Sequence, residues 1–242
     1  LWKAYTLKFL DSYSYFSFSV IFTLFLSEDF GYTDVQAGTL YGIWGAAITV
    51  LGLTTGWVID NLGVASSLRW GFVLSLISRI WILLATSRTA LLFNICLLLP
   101  MANCLGIPVL TVAIRRYTTT HNRGFAFGLF YSIMNVAALL SGPMVDVCTV
   151  WYKREADTAK WSLTGYRLVV LTTVVANVLA VLVSWTVREI KVETRKHRNS
   201  DADQEEGGEG REDVSTFEVS AGSPWQIVSE TVRTRVFWRY LA

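Results

Sequence analysis

One arginine lies in the middle of a long apolar run. Arg79 follows Leu68 by eleven residues, which is roughly 16 Å along a helix that rises about 1.5 Å per residue. A charge at that depth of a bilayer costs at least ~2.5 kcal/mol unless it faces protein or water. Two roles stay open for Arg79: it binds an anionic group of a solute, or it forms a structural pair with Asp11 or a helix carbonyl oxygen.

Hydroxyl and amide side chains form a second set of groups that can hold a polar solute. Serines and tyrosines crowd the first apolar run just after Asp11, so that this helix is expected to line a wet cavity. The alternative is that the hydroxyls bond to carbonyls of their own helix. In the fourth run, Pro100 and Pro108 are expected to bend a helix that carries two amides. The bent helix forms either a cavity wall or a gate, or the bends serve packing alone. The candidate solute-binding residues are Tyr13, Tyr15, Ser17, Arg79, Asn94 and Asn103.

Catalytic and metal-binding patterns are not found in the sequence. The chain has only two histidines and no Ser-His-Asp set, and its three cysteines lack the spacing of metal ligands. We interpret Cys96, Cys104 and Cys148 as packing residues. We therefore expect no enzyme activity, no metal and no cofactor.

Six apolar runs must position these polar groups. The 242 residues are 52% hydrophobic, and the apolar residues come in stretches of about 20, the length that crosses a bilayer. The predicted fold is an all-α membrane protein, a six-transmembrane-helix bundle with the lipid bilayer as its partner. The runs cover about residues 9–26, 39–59, 68–85, 91–114, 125–145 and 168–187.

Lysine and arginine placement predicts the orientation of these helices. The richer side carries the N-terminus, the 56–63 loop and the tail after the sixth run, and the side rich in these residues is normally cytoplasmic. The sequence therefore predicts a multi-pass membrane protein with both of these ends in the cytoplasm, and it does not indicate which membrane.

A short pattern is repeated three runs apart. Residues 52–60 and 138–146 both read small residue, Leu, two others, Gly, three others, Asp. The two copies fall on opposite faces of the membrane, which an inverted repeat of three plus three helices would give. Chance is the alternative, because glycine and leucine are common in membrane helices.

The composition changes abruptly after the sixth run. Residues 189–222 are first basic and then acidic and glycine-rich, which predicts a disordered cytoplasmic linker. Ser223 and Pro224 are typical of a helix start. We expect residues 1–188 to form the six-span bundle and residues 223–242 to begin a helix that leads into a second half.

The loop after the second run resembles the signature of the major facilitator superfamily of secondary transporters. Gly56, Asp60 and Gly63 have the family's spacing, while Asn61 stands where a basic residue is usual. With the charged linker, the chain looks like the N-terminal half of a twelve-span protein. The resemblance implies alternating access, and an inward gate at which Asp60 contacts the second half and Arg69 or Arg123. The implied gating residues are Gly56, Asp60, Gly63, Arg69, Arg123, Gly142 and Pro143.

The first run is similar to that of proton-coupled oligopeptide transporters. The acidic-acidic-basic triad of that family reads Lys8, Asp11 and Ser12 here, so two of its three charges are lost or reversed. The expected function is secondary active transport of a small polar solute, coupled to a proton or solute gradient as in a symporter. The alternative is a non-transporting membrane sensor or scaffold of the same fold. The expected partners are lipid, the solute and a C-terminal six-span half, and not nucleic acid.

Overall fold

The structure is a computed structural model that describes residues 1–118, 121–151 and 164–187. All of them lie in the first of two compact units, Leu1–Ile190. The predicted linker at 189–222 and the predicted helix start at 223–242 lie outside the described residues, so both stay predictions.

Six helices in the described residues are long and apolar enough to cross a membrane. Each predicted run is confirmed, and most of the helices extend beyond the apolar stretch at one or both ends. They are span 1 (Trp2–Phe30), span 2 (Asp34–Leu62), span 3 (Val64–Leu84), span 4 (Arg88–Tyr117), span 5 (Arg123–Val150) and span 6 (Gly165–Trp185). Span 4 contains a π-helical segment, Asn94–Leu98, and a second one, Val147–Trp151, follows Asp146 in span 5.

Tight turns join the first three spans. Gly31 ends span 1 with a φ of 64°, and Gly63 ends span 2 with a φ of 81°, a region that favours glycine because it has no Cβ atom. Span 2 starts with a capping box: Gln36 N donates to Thr33 Oγ1 over 3.3 Å, and Thr33 N donates to Gln36 Oε1 over 3.1 Å. Consecutive spans therefore run antiparallel, and we name the two ends of the bundle the Leu1 face and the Gly31 face.

The packing follows a three-plus-three symmetry. Span 1 packs mainly against spans 5 and 6, while span 4 packs mainly against spans 2 and 3. Spans 3 and 6 also pack against each other. Exchanging span 1 with 4, 2 with 5 and 3 with 6 reproduces the same main pairs, which is what an inverted repeat requires. The repeated pattern at 52–60 and 138–146 therefore has a counterpart in the packing.

Two apolar clusters form the core, one toward each face. On span 1, the cluster of the Leu1 face contains Leu7. The first buried residue of span 1 in the cluster of the Gly31 face is Phe18. The residues between them are polar on spans 1, 3, 4 and 6. We call this set the polar layer: Asp11, Ser12, Ser14, Ser17, Ser75, Ser78, Arg79, Asn103, Thr173 and Asn177.

Candidate functional site

The polar layer is buried at mid-depth of the bundle. Ser17, Ser78 and Thr173 have no exposed surface, and Arg79 and Asn177 are each 2% exposed. Hydroxyl, amide and guanidinium groups in such a place require partners, because an unpaired buried polar group costs about 1–3 kcal/mol. The layer is therefore the candidate functional site.

Charged side chains of spans 1 and 3 interact in the layer. Arg79 is buried on span 3, with its Cζ 5.7 Å from the centre of the Phe18 ring. Asp11, on span 1, interacts electrostatically with Arg79 and with Lys8. A Cβ atom placed on Gly106 would lie 3.1 Å from Asp11 Oδ1. Glycine at position 106 thus leaves span 4 close against the Asp11 carboxylate.

Lys8 was not among the predicted site residues. It is only 1% exposed, and its Nζ lies 4.7 Å from the centre of the Phe130 ring on span 5. The predicted run began at residue 9, whereas the helix begins at Trp2, so Lys8 lies inside the span. Its spacing of three residues from Asp11 on one helix was the available signal, because residues at that spacing are neighbours on a helix surface.

Several buried polar atoms in the layer have no hydrogen-bond partner among the described residues. They include Nε and Nη1 of Arg79, Oδ2 of Asp11, and Nδ2 of Asn103. No ion pair joins Arg79 to Asp11 in the part of the chain that the structure describes. The unmatched serine oxygens belong to Ser12 and Ser17. The layer therefore retains unused capacity to bind polar groups.

Other polar groups in and next to the layer form hydrogen bonds between helices. Ser78 Oγ donates to Asn94 Oδ1 over 2.6 Å, and Asn94 Nδ2 donates to the Ser78 carbonyl over 2.9 Å. Asn177 Nδ2 donates to Ser14 Oγ over 3.1 Å. Both pairs connect helices that pack together, span 3 with 4 and span 1 with 6. Asn94 therefore has a helix-linking role here, and its predicted contact with solute stays a prediction.

The two predicted tyrosines lie at the edge of the layer. Tyr13 donates to Thr172 Oγ1 over 3.0 Å and so bridges spans 1 and 6. The Tyr15 ring centre lies 5.5 Å from that of Trp44 on span 2. Trp44 is 2% exposed, and its Nε1 has no partner among the described residues. Sequence reasoning missed Trp44, because a tryptophan in an apolar run gives no sign that it will pack beside one of the predicted tyrosines.

The predicted gating residues around the 56–63 loop lie on or near the Leu1 face. Asp60 is exposed, and Gly63 forms the turn into span 3. Arg69 donates from Nη2 to the Val187 carbonyl over 2.9 Å and lies over the Trp185 ring. Arg123, half-buried at the start of span 5, has an unpartnered Nε. The described residues show no ion pair of Asp60 with either arginine.

The remaining predicted gating residues lie on spans 2 and 5. A Cβ atom placed on Gly56 or Gly142 would have no neighbour within 4 Å among the described residues, and Pro143 is exposed. These positions face away from the layer in this bundle. Their gating role, which concerns a contact outside the bundle, stays a prediction.

On the Gly31 face, one arginine joins three helix ends. Arg167 Nε donates to Asp29 Oδ2 over 3.0 Å. Its Nη1 donates to the Leu83 carbonyl over 3.0 Å, and its Nη2 donates to the Ala85 carbonyl over 2.9 Å. Arg167 therefore fixes the start of span 6 to the ends of spans 1 and 3. It is a structural clamp that the sequence analysis did not single out.

The six antiparallel spans, with a polar layer between two apolar clusters, define a multi-pass helical membrane protein. The family model of the Major Facilitator Superfamily matches residues 4–242. The chain belongs to that superfamily, as the loop signature predicted. No curated protein matches the chain.

Solved structures with the same fold include three peptide transporters. A crystal structure of the peptide transporter POT in complex with sulfate has a TM-score of 0.67 at 19% identity over 76% of this chain. A structure on substrate recognition in proton dependent oligopeptide transporters has a TM-score of 0.68 at 17% identity over 78%. A bacterial homologue of the human drug peptide transporters PepT1 and PepT2 has a TM-score of 0.66 at 19% identity over 76%. This chain covers 37%, 41% and 39% of those proteins, respectively.

Proposed function

We propose that this chain forms six spans of a secondary active transporter that moves a small polar solute by alternating access. The observation that carries the proposal is the mid-depth polar layer with unpaired atoms on Arg79, Asp11 and Asn103. Ionisable residues inside a membrane are costly and typically mark solute or ion pathways. Membership of the superfamily supports the same function class, and it favours a transporter over an enzyme.

The proposed solute site is the region between spans 1, 3 and 4. Ser17, Arg79 and Asn103 supply polar groups that lack partners among the described residues. Tyr15 borders the site next to Trp44. Tyr13 and Asn94 act mainly on its shape, because their hydrogen bonds hold neighbouring spans together.

We propose that a second six-span half packs against spans 2 and 5. In the apolar windows of these spans only 17% and 22% of residues are buried, against 44–53% in the other four. Small residues on exposed helix faces allow a second helix backbone to approach closely, and Gly56 and Gly142 have open space around them. Rocking of the two halves would open the site to one side of the membrane at a time.

The energy source is proposed to be a proton or solute gradient, with the N-terminus and the Asp60 loop in the cytoplasm. The similar structures are described as peptide transporters, but the triad of the first span reads Lys8, Asp11 and Ser12 here. We therefore propose a small polar solute and not a peptide. Asp60, Gly63 and Arg123 would form the cytoplasmic gate with the second half.

A non-transporting sensor or scaffold is the second candidate. It is favoured by Arg69, which donates to the Val187 carbonyl instead of pairing with Asp60. If Arg69 keeps this bond and takes no part in the gate, the bundle would serve as a fixed membrane anchor.

Flux measurements separate the two candidates. The intact natural protein is reconstituted into vesicles with a proton gradient, and the uptake of a mixture of amino acids, sugars and organic acids is followed by mass spectrometry. We expect at least one solute to accumulate, and the accumulation to collapse when an ionophore dissipates the gradient. Arg79→Lys should reduce uptake, while Ser132→Ala, whose hydroxyl donates to the Gly128 carbonyl of its own helix, should not. A folded protein that moves no solute would favour the scaffold.

A further inference from the structure

The three charged side chains in and beside the layer do not cancel. In their ordinary ionised forms, Lys8 and Arg79, both buried, carry one positive charge each and the half-buried Asp11 carries one negative charge, which leaves a surplus of one positive charge. An uncompensated charge in such a place is strongly unfavourable, and a bound counter-charge removes the cost. The layer therefore favours a ligand with a single negative charge.

The unpaired nitrogen atoms of the layer have the same preference. Nε and Nη1 of Arg79 and Nδ2 of Asn103 all carry hydrogen atoms to donate, and none has an acceptor among the described residues. On the acceptor side, the Asp11 Oδ2 atom also has no partner among the described residues. A ligand rich in acceptor oxygens would satisfy more of these atoms than a ligand rich in donors. Charge-assisted bonds from a guanidinium to a carboxylate are also among the stronger hydrogen bonds.

Asp11 interacts electrostatically with Arg79 but forms no ion pair with it among the described residues. Asp11 lies against the backbone of span 4 at Gly106, where a Cβ atom would come within 3.1 Å of its Oδ1. Lys8 interacts with the same carboxylate from the same helix. Asp11 is thus shared between two cations, and Arg79 keeps donors that a ligand can use.

We infer that the polar layer binds a small monocarboxylate, with Arg79 as its main contact, Lys8 as a second source of positive charge and Asp11 as a competing anion. This inference rests on the proposed transport function, since it names the solute class of the same site. It predicts opposite effects for the two charged residues of span 1: removing the charge of Lys8 should weaken binding, whereas neutralising Asp11 should strengthen it.

The test compares three solutes that share one carbon frame: lactate, its neutral amide lactamide, and the cation alaninamide. The thermal midpoint of the intact protein in detergent is measured against the concentration of each, because a ligand that binds the folded state raises it. We expect lactate to raise the midpoint and the other two to leave it unchanged. Arg79→Gln and Lys8→Gln should each weaken the lactate response at least about tenfold.

Asp11→Asn is the decisive variant, since a merely structural role would not predict a gain. It should shift the lactate response to lower concentrations, and the matched control Asp34→Asn, at the exposed start of span 2, should leave it unchanged. Arg88→Gln removes an arginine on the Gly31 face, away from the layer, and should likewise leave the lactate response unchanged.

Equal responses to lactate and lactamide, or a weaker lactate response in Asp11→Asn, would overturn the carboxylate assignment. Its failure is distinguishable from that of the transport proposal. A neutral or cationic solute that is accumulated in vesicles would leave transport standing and remove only the solute class. Conversely, lactate binding without flux of any solute would remove transport and leave the site.

Discussion

Arg69 and Arg167 clamp the same two helices from opposite faces. Arg69, near the start of span 3, donates to the Val187 carbonyl just after span 6, over 2.9 Å. Arg167, at the start of span 6, donates to the Leu83 and Ala85 carbonyls at the end of span 3, over 3.0 and 2.9 Å. Each cation lies at a helix C-terminus, where it is favoured by the helix dipole. The reciprocity follows from the exchange of spans 3 and 6 in the three-plus-three packing.

The two arginine clamps should differ in strength. Arg167→Met removes two bonds to carbonyls and the ion pair with Asp29, whose side chain is 5% exposed, so we expect it to lower the free energy of unfolding by about 3 kcal/mol. Arg69→Met removes one such bond and should cost about 1.5 kcal/mol. Thermal unfolding of the purified protein measures both. Arg88→Met, which loses a single 3.3 Å bond to the Gly31 carbonyl, is the control, and a loss as large as that of Arg167→Met would contradict the ranking.

The Ser78–Asn94 pair should matter for stability more than for solute selection. Its two hydrogen bonds are buried between spans 3 and 4, and such bonds in membrane proteins are worth about 0.6–1.7 kcal/mol. A double-mutant cycle of Ser78→Ala and Asn94→Ala measures the bond between the two side chains, since Ser78→Ala keeps the backbone carbonyl, and it should give a coupling energy in that range. Solute preference in flux assays should stay unchanged. If Asn94→Ala alters the preference while Ser78→Ala does not, Asn94 contacts the solute directly.

The sequence predicts the six spans because the signal is local and long. About 20 apolar residues in a row have few alternatives to a membrane helix, and every run was confirmed. The depth of Arg79 followed from the same count. The hydrogen-bonded pairs were not predictable, because Ser14 and Asn177 are 163 residues apart and composition does not specify which helices pack together.

The hydrogen bond of Arg69 shows a second limit. The family resemblance gave Arg69 or Arg123 as the arginine that contacts Asp60 at the gate, and that role stays a prediction. The bond of Arg69 to the Val187 carbonyl just after span 6 could not be predicted, because the two residues are far apart in sequence. Lys8 was missed for a related reason, since the helix extends beyond the apolar run at its start and buries a lysine that sequence alone places at the membrane edge.

Among the glycines, Gly106 should have the largest effect on the affinity for solute when it is replaced by alanine. A methyl group there would lie 3.1 Å from Asp11 Oδ1, so Gly106→Ala must displace the carboxylate or the helix by a few tenths of an ångström. We expect the affinity for the transported solute to change severalfold, with a loss of stability of about 1–3 kcal/mol. Equilibrium binding and thermal unfolding measure the two effects. Gly71→Ala, which meets Leu105 outside the layer, is the control: it should lower stability while leaving affinity unchanged.

The exposed faces of spans 2 and 5 should be the surfaces on which the second six-helix half packs. Gly56→Leu and Gly142→Leu add a bulky side chain where the described bundle has open space, so the bundle should accommodate them without internal clashes. If a second six-helix half packs closely on these faces, both changes should abolish flux, because small residues set the distance between helices in membranes. Vesicle uptake tests this. The control is Val136→Leu, which enlarges an exposed side chain of span 5 that is already bulky and should leave flux unchanged. Normal flux in Gly56→Leu and Gly142→Leu would show that these faces meet lipid, and the two halves would then have to meet elsewhere.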